Sequence, residues 1–420
     1  MSEKFQPPRG TRDWWGDDAA RRRRAIDLAR EVFEPAGYGE IVTPVFEDTE
    51  LFARSSGESS DVVRKEMYSF EDRSGRLLTL RPESTAPVMR AYLNEMTRLP
   101  QPVKLWYTQA HYRYNAVQRG RAREHYQFGV EVIGSEDPAV DAEVIALQRG
   151  WYERCEVPGL RLELNSIGDA NCRPAYIELL TAFIDRHLDQ LDDECRERRK
   201  TNPLRVLDCK NPSCRAIMAD APRITDHLCD ACAEHFAEVR RHLDARGVEY
   251  ELEPTLVRGL DYYTRTTWEW TGAGLATSIS GGGRYDGLAE DLGGPPTPGV
   301  GFGTGLERIR LACAAERVDL VGRTGVDVYV VDTTGGFAAL ALTHELRSAG
   351  ISADRAWDGR SFKAQFKAAD RAGARVAVVV GPDEASRHVV GLKPMRGGEQ
   401  VEVPVDQVAS QVRKMLDDAE

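Results

Sequence analysis

Along the first third of the chain the spacing of apolar residues changes repeatedly. Ile26, Leu28, Ala29, Val32 and Phe33 recur at helical spacing and predict a helix over 17–36, with Asp17 as its cap and Gly37 as its stop. Strand-like patterning then takes over: a strand over 38–46, and short strands over 67–70 and 77–81 joined by the turn Asp72-Arg73-Ser74-Gly75. After a helix at about 84–96, two longer strands (103–113 and 123–134) flank a polar loop at 115–121, which predicts a long antiparallel hairpin. A helix (138–155) and a strand (160–167) follow. From 170 to 247 the pattern is helical and charged, and strands resume at 249–257, 262–271 and 277–284, so the helical stretch reads as an insertion between halves of one sheet. Beyond a helix at 306–316 and a linker at 319–325, strands (326–331, around Ala353, 376–380) alternate with helices (336–349, 360–372), the pattern of a small α/β domain.

Composition narrows the class. The 420 residues suit two or three domains, each able to bury a core. With 41% hydrophobic and 29% charged residues, disorder and collagen-like order are excluded. No apolar run approaches a membrane span and the N-terminal stretch has no apolar signal core, so a cytoplasmic protein is expected. The net charge of −11 argues against indiscriminate nucleic-acid binding, although a local basic face remains compatible with it.

The hairpin carries the most chemistry. Residues two apart share a strand face, and cross-strand partners share it too. A loop centred near Arg119 sets Gln109, His111 and Arg113 opposite Gly129, Gln127 and His125, with Glu131 on the same face and Gly129 leaving open space. Such a polar row is either solvated or a ligand site. Arg81, Glu83 and Thr85 stand at strand spacing before a helix, where Glu83 could hold an ammonium or imidazolium group and Ser84 or Thr85 could simply cap the helix. The stretch Leu256 to Arg265 packs two arginines, an aspartate and two tyrosines into eight positions. Gly281-Gly282-Gly283-Arg284-Tyr285-Asp286-Gly287 would let a ligand approach the backbone closely, or form a plain turn. Gly301-Phe302-Gly303-Thr304-Gly305-Leu306-Glu307-Arg308 opens a glycine strand into a helix with a guanidinium in its first turn, which suits an anion.

These segments resemble class II aminoacyl-tRNA synthetases. The three class signatures stand in order: a helix and strand ending at Pro44, the arginine-bearing hairpin at 113–131, and Gly-Leu-Glu-Arg at 305–308. Leu256–Tyr263, Gly281–Gly287 and Thr79-Leu80-Arg81-Pro82-Glu83 are similar to motifs of the histidyl-tRNA synthetases, and the resemblance runs from about residue 5 to about 415. It implies an α+β fold with an antiparallel catalytic sheet over 1–325, a helical insertion at about 170–247, and an α/β anticodon-binding domain over 326–420.

The implied activity is ATP-dependent ligation of L-histidine to tRNA(His) through a histidyl-adenylate, with Mg²⁺ on the phosphates and a homodimer built through the first signature. The rival is a non-charging paralogue that binds histidine as a regulatory subunit. By resemblance Arg113 and Arg258 act on the α-phosphate, and Arg113, Asn115, Arg121, His125 and Arg308 form the ATP site. Glu83, Thr85, Gln127 and Glu131 form the amino-group pocket, and Tyr263 and Tyr285 enclose the imidazole. Gln118, Arg119, Arg360, Lys363 and Lys367 would contact tRNA. Residues 355–396 carry nine Lys or Arg against four Asp or Glu, a local +5, and Arg360, Lys363, Lys367 and Arg371 would form one stripe, either a solvated helix face or an RNA contact. The chain departs from the family at 115–117, where Asn-Ala-Val replaces Glu-Arg-Pro, and at His125, where a Phe usually stacks on adenine.

Eight cysteines are too few for a disulfide framework. Cys209-x4-Cys214 and Cys229-x2-Cys232 have spacing compatible with one structural zinc site, the alternative being four reduced thiols. Cys155, Cys172, Cys195 and Cys313 read as packing residues.

Overall fold

The computed structural model describes residues 4–57, 62–118, 120–272, 274–275, 277–315, 317–321 and 325–418. The chain divides into two compact units, residues 1–320 and 321–420.

An eight-stranded sheet forms the first unit. Its order is Gly39–Glu40, Val103–Tyr112, Glu124–Ile133, Gly299–Gly305, Ser280–Arg284, Thr264–Gly272, Leu160–Ser166 and Glu251–Leu252. The two short edge strands pair parallel and every other pairing is antiparallel. One face is apolar: Phe128, Val130, Val300, Phe302, Trp268 and Leu164 alternate along their strands and bury against helices Gly16–Phe33, Pro138–Arg154, Asp230–Ala245 and Leu306–Ala315. Gln148 is the polar tie in that layer. Its amide donates to Ser280 and Tyr152, both at 2.9 Å, and accepts from the Trp268 and Trp270 indoles at 2.9 Å, so the buried group is satisfied.

Several expectations shift by a few residues for identifiable reasons. The first helix starts at Gly16, and Asp17 sits in its first turn instead of capping it. The strand expected over 38–46 is paired only at Gly39–Glu40 and again at Phe46–Asp48. Pro44 has no N–H, and the Thr43 and Pro44 carbonyls accept from the Arg81 guanidinium at 2.7 and 3.1 Å. The strand expected over 249–257 shrinks to Glu251–Leu252, two residues ahead of Pro254. Leu77–Leu80 lies between Phe46–Asp48 and Tyr68–Glu71 in a separate three-stranded sheet.

Between Leu160–Ser166 and Glu251–Leu252, neighbours in the large sheet, the chain leaves to form the helices Arg173–Arg186, Asp193–Thr201, Pro212–Met218 and Asp230–Ala245. The second unit is a five-stranded sheet ordered Ala353–Arg355, Val328–Asp332, Val376–Val380, Val389–Pro394 and Val401–Pro404. Its first three strands are parallel and its last two antiparallel. The last two strands, and the helix Val408–Asp417, were not foreseen.

Candidate active site

The polar face of the large sheet opens into a cleft of about 550 Å³. Across the hairpin Gln109 faces Gln127 and His111 faces His125, so the expected register is two residues out. The loop is lopsided: Arg113 bonds Arg123 through its backbone while the closing bridge joins Gln118 to Arg121, so a symmetric turn misplaces the pairs. A two-residue slip keeps every side chain on its own face, which is why the polar row survives.

Gly129 faces Tyr107, and the space it leaves is filled by that ring. The neighbouring strand carries glycine at 299, 301, 303 and 305, and the next at 281 and 283, with Gly281 opposite Gly303 and Gly283 opposite Gly301. A Cβ at 281 would overlap the Arg258 guanidinium, at 283 the Tyr263 ring, at 299 the Tyr285 ring and at 301 the Glu131 carboxylate. The glycine run therefore makes room for the site's own side chains, not for a ligand lying directly on the backbone.

Glu131 is the sealed end of the cleft. It accepts from Thr85 Oγ1 at 2.8 Å, Tyr107 at 3.3 Å and the Tyr285 hydroxyl. Burial pushes its carboxyl up to about 8; the neighbouring Glu83 adds to this, and the hydroxyl hydrogen bonds only partly offset it. Glu83, buried and likewise raised by burial, accepts from the Thr85 and Ala86 backbone N–H groups at 2.6 and 3.1 Å. Glu83 thus caps helix Thr85–Ala91, while of the two expected caps Ser84 bonds His111 Nε2 at 2.6 Å and the Thr85 hydroxyl goes to Glu131. The Tyr262 ring lies 4.7 Å from that of Tyr263, tilted by 48°, and edge-on to Tyr285.

The open end is cationic. Arg113, Arg121, Arg258 and Arg308 all line the cleft. Burial first, then the charges of Arg121, Arg113 and Arg258, depress the Arg308 guanidinium to about 10, a sign of how closely the four converge. Arg308 is tied to the Ser278 carbonyl, Arg113 to that of Pro82 at 2.8 Å, and Arg258 to Glu269. Burial, with Arg113 and Arg308 beside it, holds the His125 imidazole down to about 3, so the ring is neutral. Asn115, its amide nitrogen turned toward Glu66, donates at 2.6 and 3.3 Å to that carboxylate. Glu66, Glu269 and Tyr107 were missed by sequence reasoning. Tyr107 alone had a readable signal, since it lies two residues before Gln109 on the same strand face.

Of the other expected residues, Gln118 is exposed at the hairpin loop and Arg119 lies outside the described residues. Arg360, Lys363 and Lys367 are exposed in the second unit, and none of them forms an ion pair among the described residues. Arg360 precedes the helix, which starts at Phe362. The four cysteines expected to share one zinc do not meet. Cys209 and Cys214 gather with Asp192 and Cys195, and Cys229 and Cys232 with Asp169 and Cys172. Cys172 and Cys195 are therefore members of clusters, and the helical fold of the insertion keeps the two pairs apart.

An antiparallel sheet whose cleft is lined by several guanidiniums and ends in buried carboxylates fits a class II aminoacyl-tRNA synthetase, and the similarities to known proteins agree. The histidyl-tRNA synthetase family matches residues 10–309, and an anticodon binding domain matches residues 327–415. The histidine–tRNA ligases of Pelotomaculum thermopropionicum and Moorella thermoacetica are each 48% identical to the chain. The first aligns over 97% of both chains, and the second over 97% of this chain and 98% of its own. The apo histidyl-tRNA synthetase of S. aureus superposes with a TM-score of 0.82 at 36% identity, covering 98% of this chain and 100% of that one. The chain belongs to the histidyl-tRNA synthetase family.

Proposed function

We propose that this protein ligates L-histidine to tRNA(His) in two steps. The histidine carboxylate attacks the α-phosphorus of ATP, a P–O bond forms as the bond to pyrophosphate breaks, and a terminal ribose hydroxyl of the tRNA then displaces AMP from the acyl carbon. The observation that carries this reading is the convergence of Arg113, Arg121, Arg258 and Arg308 on a cleft that ends in Glu131 and Glu83.

In this reading the amino acid lies with its ammonium toward Glu131, Thr85, Gln127 and Glu83, and its ring against Tyr263 and Tyr285. Its carboxylate then points at Arg258. Arg258 and Arg113 stabilise charge that builds on the α-phosphoryl oxygens, and because each is already held by Glu269 or Pro82, little reorganisation is needed when the charge develops. Arg308 and Arg121 hold the outer phosphates; Mg²⁺ arriving with ATP would supply further neutralisation of their charge. The neutral ring of His125 provides a flat surface for adenine. Glu66, which accepts from the Asn115 amide and lines the same cleft, supplies a carboxylate next to the position where the family motif carries Glu.

The second unit offers RNA a basic and aromatic surface. Arg360, Lys363 and Lys367 are interspersed in sequence with the exposed Trp357 and Phe362, and the Arg355 guanidinium stands 4.1 Å from the Trp357 ring, a combination suited to phosphates and unstacked bases. Homodimerisation is supported by exposed apolar side chains on the first signature and the small sheet: Val42, 76% exposed, with Val45, Phe46, Phe70 and Leu77. No helix among the described residues is long and apolar enough to cross a membrane; a tRNA substrate supports the reading of a cytoplasmic protein.

The test is histidine-dependent exchange of pyrophosphate into ATP without tRNA, alongside charging of total tRNA with labelled histidine. Both activities are expected. Histidine binding with neither activity would refute the ligase reading and favour the regulatory paralogue.

A further inference from the structure

The two cysteine clusters of the helical insertion share a sequence logic that their separation reveals. One joins Asp169-x2-Cys172 to Cys229-x2-Cys232, the other Asp192-x2-Cys195 to Cys209-x4-Cys214. Each is an Asp-x2-Cys half at the start of a helix, closed by a cysteine pair from a later segment. Within each cluster the three sulfurs and one carboxylate oxygen all lie within 4.8 Å of one another. Ligands about 2.3 Å from a tetrahedral zinc stand about 3.8 Å apart, so these sets need only a small contraction to surround one ion.

From this geometry we infer that the insertion holds two zinc ions, each bound by three thiolates and an aspartate. Three of the sulfurs already accept from the backbone: the N–H groups of Asp169, Asp192 and Asn211 donate to Cys172, Cys214 and Cys209 Sγ, all at 3.4 Å. The carboxylates are also oriented. Asp169 Oδ1 accepts from the Asn171 N–H at 2.9 Å and lies 3.7 Å from Cys172 Sγ; Asp192 Oδ2 accepts from Asn211 Nδ2 at 3.0 Å and lies 3.6 Å from Cys209 Sγ. Gly168, at φ +61°, leaves room for the Cys172 sulfur, which a Cβ there would meet at 2.6 Å. Disulfide bonding fits these sets poorly, since three thiols leave one unpaired.

The placement gives each ion a task. The first cluster ties the chain where it leaves the sheet after Ser166 to the N-terminus of helix Asp230–Ala245, which returns it, so one ion clamps the entry and exit of the insertion. The second brackets the segment between Cys195 and Cys209. There Arg205 donates to the Arg258 carbonyl and Asn202 to Asp261, both at 2.9 Å, so this ion holds the strut beneath the loop that carries Arg258.

Metal content of the full-length chain, purified from zinc-supplemented cells without chelator, tests this by elemental mass spectrometry. About two zinc ions per chain are expected. Cys172→Ser and Cys195→Ser should each remove one, and together both. Cobalt exchanged into the wild-type chain should show tetrahedral ligand-field bands with thiolate charge transfer at both sites, a readout that needs no variant to fold. A chain without zinc, a single ion lost entirely with either substitution, or cobalt spectra without thiolate bands would each overturn the proposal.

Discussion

Histidine binding should expel a proton from Glu131. The side chain is buried and its carboxyl is pushed up to about 8, so at pH 7 about nine-tenths of the free protein carries it neutral. An ammonium arriving within hydrogen-bonding reach reverses the preference, because an opposite charge favours the ionised form. Ionising Glu131 at pH 7 costs about 1.4 kcal/mol, and histidine affinity should fall about tenfold per pH unit below 8. The sign for folding is opposite to that of a salt-bridged carboxylate. A carboxyl with a raised folded pKa binds more protons when folded, so stability is lost as pH climbs from about 4.5 toward about 8. Glu131→Gln keeps the shape and an acceptor for Thr85, and should be more stable than the parent at pH 7 by up to about 3 kcal/mol while losing most histidine affinity. Calorimetric titration of histidine in buffers of different ionisation enthalpy, between pH 6.8 and 8.2, measures the proton count. The imidazole of the ligand contributes equally to parent and variant, so the difference belongs to Glu131. Equal proton release in both, or a parent affinity no steeper with pH than the variant's, would refute the reasoning.

Arg258→Ala should lose about 10²- to 10³-fold in pyrophosphate exchange with the fold intact, and an unchanged rate removes its role. Gly281→Ala adds one methyl where the Arg258 guanidinium lies, so it should cost about as much, and the double variant should be no worse than either single one; additive losses would separate the two residues. Glu66→Gln should raise the KM for ATP about five- to tenfold, a loss of about 1 to 1.4 kcal/mol, with the KM for histidine unchanged; equal effects on both would detach Glu66 from the adenine site. Lys363→Glu with Lys367→Glu should weaken tRNA charging and flatten its salt dependence while leaving tRNA-free exchange intact, and a parallel loss of exchange would count against an RNA contact.

Part of the site was legible in the sequence because it follows from period. Period two puts Gln109, His111, Gln127 and Glu131 on one face whatever the exact register, so a misjudged loop moved partners without moving faces. The same period was present in glycines 299, 301, 303 and 305, which together with 281 and 283 strip side chains from the middle of the cleft floor. That pattern is readable, but its meaning depends on which side chains fill the space, and Arg258, Tyr263 and Tyr285 come from segments whose approach no local pattern encodes. Caps fail for a related reason. Ser84 has the right chemistry to cap its helix, yet a neighbour from another strand, His111, claims its hydroxyl and leaves the backbone N–H groups to Glu83, which the site then holds desolvated. The cysteines show the limit most clearly. Spacing identifies which thiols are local pairs, but the partner of each pair is chosen by how four helices pack. The two Asp-x2-Cys halves, unremarkable as helix starts, acquire chemistry only when Cys229 and Cys209 arrive beside them. A constellation is legible from sequence when its members share one strand or one helix turn, and becomes hidden when its members are brought together by tertiary contacts alone.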